Sequence, residues 1–367
     1  MVCQQESIVT LEEFAAEVSR DPPNVYTVER GSHADGFAAA CRDLGLEMRR
    51  SDPKETGFYR NGRLIGEMRG MVPDLTSDQA VALCKDKTRT LDLLKAAGVP
   101  VPQSSYFPPE TGFEAALRHW AASEGARIVV KPSDSYGGEG ITVGVPDAAA
   151  FRQAWDLARA NLSDPALPII LEERIDGLDV RAIVVEGRFV CAATRVQSHV
   201  IGDGHSTVAE LAARKNELRR KNPYHNNYAL RVAGQGDAIP AAGQVWLLTT
   251  RANIHQGGES VDVTDRLPAA LRRIAEQAAQ AIPGLGVAGV DLIADFEAGT
   301  GRVIELNTSC NFCVHTYPVH GTPRNPARAV LDNMVARADR GVVYRPRRPK
   351  GPVARLRRRL RRLFGAG

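Results

Sequence analysis

The 367 residues lack any membrane or export signal: no apolar run approaches the roughly eighteen residues a span requires, and the first ten combine neither a basic start nor a long apolar stretch. Cysteine is sparse. Cys3, Cys41, Cys84, Cys191, Cys310 and Cys313 form no disulfide framework, so a reducing cytoplasm is expected. Two nucleotide fingerprints are missing as well. No Gly-x-Gly-x-x-Gly follows the first expected strand, which argues against NAD, and no Gly-Lys-Ser/Thr opens a helix as in a Walker A loop. Acid is absent from residues 345–367, whose ten Lys or Arg turn a mildly acidic body into a chain of net charge +4. What remains is an ordinary globular composition, 43% hydrophobic and 25% charged, long enough for two or three packed units.

The chain is organised around two apolar runs, 286–296 and 302–309, joined by a loop at 297–301 that contains Gly299 and Gly301. This pattern reads as a β-hairpin. Counting outward from the loop puts Asp291 opposite Asn307, with Glu305 on the same face. Two carboxylates and an amide oxygen make a hard, oxygen-only site of the kind magnesium occupies together with substrate phosphates. A plain hairpin with solvated acids is the alternative; the apolar neighbours of each acid oppose it.

Upstream, 11–18 and 35–44 read as helices, 24–29 and 46–50 as strands, and Asn61-Gly62 as a hairpin turn. Together they suggest a small α/β domain over 1–83. Thr76 or Ser77 can cap one helix, and Asp86 or Thr88 a second that ends at Gly98. Lys87 then lies at the positive end of that second helix, where it is either solvated or facing an anionic ligand. A strand ending at Lys131 leads into a loop with Gly137, Gly138 and Gly140, which is either a phosphate-gripping flap or a hairpin turn.

Residues 169–173 read as a strand containing Glu172 and Glu173, and 180–186 with 188–194 as a hairpin about Glu186-Gly187. Backbone groups from Glu173 to Ile175 suit the edge of an adenine, and Asp179 could accept from a sugar hydroxyl. A capped helix is expected at 207–215, an exposed polar insertion after it, and a further helix at 268–281.

Taken in order, these residues resemble the ATP-grasp ligases, and within them the ligase module of cyanophycin synthetases and bifunctional glutathione-forming enzymes. The resemblance spans roughly residues 70–335. It rests on Asp86-Lys87-x-x-Thr90, Ala97-Gly98-Val99-Pro100, Val130-Lys131-Pro132, Glu172-Glu173, Gly177-x-Asp179-x-Arg181, the stretch 199–216, Asn253-x-x-x-Gly257-Gly258, Asp262-Val263-Thr264-Asp265, Asp291, Glu305-x-Asn307 and Gly321-Thr322-Pro323-Arg324-Asn325.

It implies an α+β ATP-grasp fold, two α+β subdomains clasping ATP beneath a Gly-rich flap, after the small α/β domain. The divisions would be 1–83, 84–170 with the flap, 171–340 with the metal and substrate site, and a tail at 341–367. By matching position, Lys87, Lys131, Gly137 and Gly138 would meet phosphates; Glu172, Glu173 and Ile175 the adenine; Asp179 the ribose. Asp291, Glu305 and Asn307 would hold Mg2+, with Mn2+ as a substitute.

The implied reaction is formation of an amide from amino-acid or peptide substrates through an acyl-phosphate, releasing ADP and phosphate. Transfer of phosphate to a small molecule, or nucleotide binding without catalysis, are the alternatives. Lys131 would also serve the chemistry. Some relatives place an arginine two residues before the first metal acid; here that position is Gly289, and Arg195 or Arg251 could substitute. After Asn307 the usual Pro-Gly is replaced by Ser309-Cys310-Asn311-Phe312-Cys313, read as buried thiols shaping the substrate pocket rather than a redox or zinc pair.

In the tail, Val353, Leu356, Leu360, Leu363 and Phe364 make one apolar face among arginines. This pattern suits an anionic membrane surface or an acidic partner, with a solvated terminus as the alternative. Nucleic acid is not expected, because stacking aromatics are missing. Self-association is compatible with all of this.

Overall fold

The structure is a computed structural model that describes residues 10–28, 31–52, 55–110, 112–123, 127–134, 138–249 and 253–344. Gly137, Arg251 and the basic stretch 345–367 lie outside the described residues. Local signals set the first elements. Helix α1 (Leu11–Val18) starts at Thr10, whose hydroxyl accepts from the Glu13 N–H while the Glu13 carboxylate accepts from the Thr10 N–H. Helix α2 (His33–Leu44) repeats this with Ser32 and Asp35, and ends at Gly45 with φ 64°.

Strands β1 (Glu47–Asp52), β2 (Glu55–Arg60), β3 (Arg63–Arg69) and β4 (Val72–Pro73) then form an antiparallel meander. Asn61 and Gly62, at φ 50° and 74°, make the tight turn from β2 to β3. The strand expected at 24–29 does not form over the described residues 24–28. Asn24 instead ties this segment to the far end of the chain, bonding to the carbonyls of Pro318, Val319 and Gly321.

Helix α3 (Asp78–Lys85) is capped by Ser77, and α4 (Lys87–Ala96) by Asp86, which also terminates α3. A small sheet follows, from β5 (Ser104–Phe107), β6 (Ile128–Pro132), β7 (Thr142–Val143) and β8 (Ile169–Glu173) in the order β5-β8-β6-β7. Helices α5 (Phe113–Ala121) and α6 (Ala148–Ala160) cover it through Phe151 and Trp155. The division expected at 170/171 falls inside β8. Its ladders with β5 and β6 tie the whole strand to the small sheet.

The larger sheet begins with β9 (Leu178–Val185) and β10 (Arg188–Val196), turned by Glu186 and Gly187 at φ 46° and 72°. An excursion through β11 (His199–Ile201), α7 (Val208–Arg219) and β12 (Val245–Leu247) returns as β13 (Glu259–Asp262). Helix α8 (Ala269–Gln280), strands β14 (Val287–Asp295) and β15 (Thr300–Asn307), and helices α9 (Cys313–Thr316) and α10 (Pro326–Asp339) follow. The sheet order is β13-β10-β9-β14-β15.

Alternation gives this sheet two faces. Leu178, Val180, Ala182 and Val184, with Ala288, Val290, Leu292 and Ala294, pack in one core with Leu271 and Ala275 of α8. Ile183, Val185, Cys191 and Val287 face the other way, toward Phe37 of α2 and Val330 and Leu331 of α10. That second face carries apolar residues at one end only; at the other it is polar. Part of the stretch expected as an exposed insertion after 215 packs inward, with Arg219, Asn222, Tyr224 and His225 buried, while residues 220, 221, 227, 229, 231, 233–235, 237 and 239 are exposed as expected. Its polar side chains are consumed by backbone carbonyls and by Glu259, which is why composition alone misplaced it. Among the described residues no helix is long and apolar enough to cross a membrane.

Leu94, fully buried in the main core, anchors α4 and with it Lys87. Leu94→Ala should cost about 2–5 kcal/mol of unfolding free energy. The measurement is the urea midpoint by circular dichroism; a loss below about 1 kcal/mol would mean α4 is not held by this core.

Candidate active site

The polar end of the second face is assembled from four strands. The hairpin β14–β15 is tighter than the sequence count implies. Asp295 Oδ1 accepts from the N–H groups of Glu297 and Ala298, both at 3.0 Å, closing an Asx turn so that Asp295 pairs with Thr300. A bulge then inserts Ile304: Leu292 pairs with Val303, but Asp291 pairs with Glu305 and Gly289 with Asn307. The expectation of Asp291 directly opposite Asn307 is therefore corrected by one pair. The bulge lets Val303 and Leu306 both reach the main core while Glu305 and Asn307 stay with Asp291 on the polar face.

Asp291 is the centre. Arg181 on β9, its cross-strand partner, grips it bidentately, Nε to Oδ1 and Nη2 to Oδ2, both at 2.6 Å. Asn307 Nδ2 donates to Oδ2 at 3.2 Å, and Arg195 Nη2 stands 3.3 Å from the same oxygen. Arg195 also donates to Asp179 Oδ1 from Nε and Nη2, at 2.8 and 2.6 Å. Burial works to raise the Asp291 carboxyl, but the two guanidinium groups outweigh it and hold it below the ordinary range. Asp179 goes the other way, since burial lifts it and Arg195 only partly counters this.

Two lysines bring the small sheet to this cluster. Lys87 is the first residue of α4; its N–H donates to Ser133 O at 3.2 Å and its Nζ lies 3.7 Å from Glu305 Oε1. It therefore touches both sheets. Burial pushes its ammonium down, and Glu305 partly offsets this. Lys131 Nζ on β6 is 2.7 Å from Glu172 Oε2 on β8, both buried, and Glu172 also accepts from Ser104 Oγ at 3.3 Å. In the stretch expected to meet adenine, the Glu173 N–H is taken by Gln103 O and the Arg174 N–H by Arg127 O. That leaves Ile175, just beyond, as the amide on offer. Gly138 at φ 80° begins the described part of the Gly-rich loop.

Of the sequence candidates, the structure thus brings Lys87, Lys131, Glu172, Asp179, Arg195, Asp291, Glu305 and Asn307 into one region. Arg181 was visible within a motif yet had no role assigned to it; only the cross-strand register reveals one. A Cβ added at Gly289 would sit 3.6 Å from Arg181 Cδ and Nε and 3.2 Å from Cys310 Sγ. The guanidinium that reaches Asp291 arrives instead from the neighbouring strand, with the Arg181 stem in van der Waals reach of position 289. Cys310 and Cys313 are buried, burial pushes both thiols up to about 12, and Cys310 Sγ donates to Asn307 O at 3.1 Å. Both thiols are thus buried, as expected. Among the described residues no three His, Cys, Asp or Glu side chains converge as a closed metal cage.

The larger structure has a known counterpart: a bifunctional glutathione synthetase from Pasteurella multocida matches 83% of this chain and 43% of its own, with a TM-score of 0.59 at 24% identity. No protein-family profile matches. In sequence, the chain is 32% identical over 283 residues to a cyanophycin synthetase of Nostoc sp. (strain PCC 7120), covering 72% of this chain and 30% of that protein. It is 31% identical over 272 residues to the glutathione biosynthesis bifunctional protein GshAB of Mannheimia succiniciproducens, covering 68% and 35%. The chain thus spans about a third of the length of the curated relatives it matches. The fold is the α+β ATP-grasp fold. The chain belongs to the ATP-grasp ligase family, alongside these cyanophycin and glutathione synthetases; as a family these ligases use ATP and Mg2+.

Three buried imidazoles border the polar face and its flank. Burial, aided by nearby cations, holds His199 down to about 4 and His225 and His315 down to about 3, all from an ordinary 6.5. Unfolding restores the ordinary value, so between pH 6.5 and these values the unfolded chain binds more protons. Stability present above pH 6.5 is then lost as pH falls, by up to about 1.4 kcal/mol per pH unit for each imidazole. Melting temperature should drop steadily from pH 6.5 to 5, and His225→Asn should flatten that slope; a profile flat over this range would contradict it.

Proposed function

We propose that this chain is an ATP- and Mg2+-dependent carboxylate–amine ligase that joins amino-acid or peptide substrates through an acyl-phosphate and releases ADP and phosphate. The observation that carries this reading is the meeting of Lys87, which touches both sheets, with the Glu305–Asp291–Asn307 row. Lys87, whose N–H bonds to Ser133 just beyond β6, faces hard oxygen donors of the larger sheet. That is the charge arrangement a polyphosphate with its metal needs.

In this reading Lys87, Lys131 and the loop at Gly137 and Gly138 take the phosphates. Glu172, Glu173 and Ile175 take the adenine, and Asp179 the ribose. The oxygen set of Asp291, Glu305 and Asn307 fits Mg2+ or Mn2+: Asn307 already touches Asp291, Glu305 is paired beside it, and the acids are balanced here by Arg181 and Lys87. Bound there, the metal would neutralise charge on the transferring phosphoryl group. Arg181 and Arg195, fixed by buried acids, stand ready to receive the substrate carboxylate and the oxyanion of the second step. A carboxylate oxygen attacks the γ-phosphorus and ADP leaves; an amine nitrogen then attacks the acyl carbon, phosphate leaves, and the ammonium proton passes to phosphate or solvent. Water must be kept out between the two steps, which suits a Gly-rich loop closing over the cleft.

The test is a panel of amino acids and dipeptides with ATP, scored for ADP, phosphate and hydroxylamine-trapped acid. Asp291→Asn and Glu305→Ala should each lower ADP release about 100-fold or more, and Arg181→Lys should do so without weakening ADP binding, read by calorimetry. AMP and pyrophosphate as products would refute the reading. A phosphorylated product formed without an amine would turn it into a phosphotransferase.

A further inference from the structure

Strand β13 has two faces with different neighbours. Ser260 pairs with Arg195 and points to the polar face, where its hydroxyl meets His225 Nε2 at 2.9 Å. Glu259, one residue earlier, points to the opposite side. There a cavity of about 240 Å3 opens between α7, β11, residues 19–24 and residues 319–320. A 150 Å3 apolar cavity is already enough for a benzene ring.

The walls are apolar, from Pro23, Val200, Ile201, Leu211, Leu218 and Val319. Leu218, 48% exposed, lies at the rim. The floor is charged. Glu259 accepts from Lys215 at 3.0 Å and Arg219 at 3.1 Å, so one buried carboxylate serves two cations. His199 adds no charge of either sign: its Nε2 accepts a hydrogen bond from Lys215 at 3.1 Å, and its Nδ1–H donates to Gln197 O at 2.8 Å. Arg214, also in the lining, is already paired with Asp203 at 3.4 Å, and Asp21, the second acid of the lining, is exposed. Two cations sharing one buried carboxylate beside apolar walls are better compensated when an anion with an apolar body enters.

We propose that this cavity is a binding site for a small organic carboxylate with an aromatic or branched aliphatic body, separate from the nucleotide cleft. It does not depend on the ligase reading, because the sheet lies between the two sites. The probes are 3-phenylpropionate, its neutral amide and 3-phenylpropylamine, titrated calorimetrically into the full chain with and without ADP. The acid should bind at least ten-fold more tightly than the amide and the amine not at all, equally well with ADP present. Leu218→Asp, a change at an exposed position, should weaken the acid at least ten-fold while leaving ADP affinity unchanged, and Val319→Phe, which fills the cavity, should abolish binding. No binding of the acid, equal binding of the amide, displacement by ADP, or indifference to both substitutions would each overturn the proposal.

Discussion

The buried pairing of Asp291 with Arg181 is the constraint on which the site rests. A carboxylate at the middle of a five-stranded sheet, 2% exposed, is tolerable only with a cation locked onto it. Removing either partner of such a pair costs about 3–5 kcal/mol, because the other is left charged and dry. The pair in turn dictates its surroundings. Asn307 and Arg195 close around the remaining oxygen lone pairs.

Around that pair, charge alternates in both directions. Across the sheet, Asp179 answers Arg195; toward the small sheet, Glu305 answers Lys87, and Glu172 answers Lys131. Among the described residues each of these four cations, Arg181, Arg195, Lys87 and Lys131, therefore has an acid, and their charges balance pairwise. Lys87 is the mechanical joint of the arrangement, since its backbone holds the small sheet while its side chain reaches the large one.

Much of this was legible in the chain. Helix caps at Ser77 and Asp86, each one of two candidates, and the turns at Asn61-Gly62 and Glu186-Gly187 formed where short-range chemistry put them, because each is decided within four residues. The ordered motifs were enough to name the ATP-grasp family. Register was less legible: the Asx turn at Asp295 and the bulge at Ile304 shifted the pairing of Asp291 from Asn307 to Glu305, a change no count of residues in the loop could foresee. The inward packing of 216–230 was missed for a related reason. A polar composition reads as solvated until a partner such as Glu259 is known to lie opposite.

What the sequence alone determined was the set of chemical groups and the local elements that carry them: lysines at a helix start and a strand end, acids in apolar strands, glycines where turns need them. The tertiary structure decided which of these groups share a face. Arg181 and Asp291 are 110 residues apart and become partners only through the ladder of β9 and β14. Glu259 and Ser260 are neighbours in sequence, yet strand alternation sends one to a cavity floor and the other to the active face. The physical reason is that alternation and hydrogen-bond register are properties of paired strands, and pairing is a long-range choice made by the whole core.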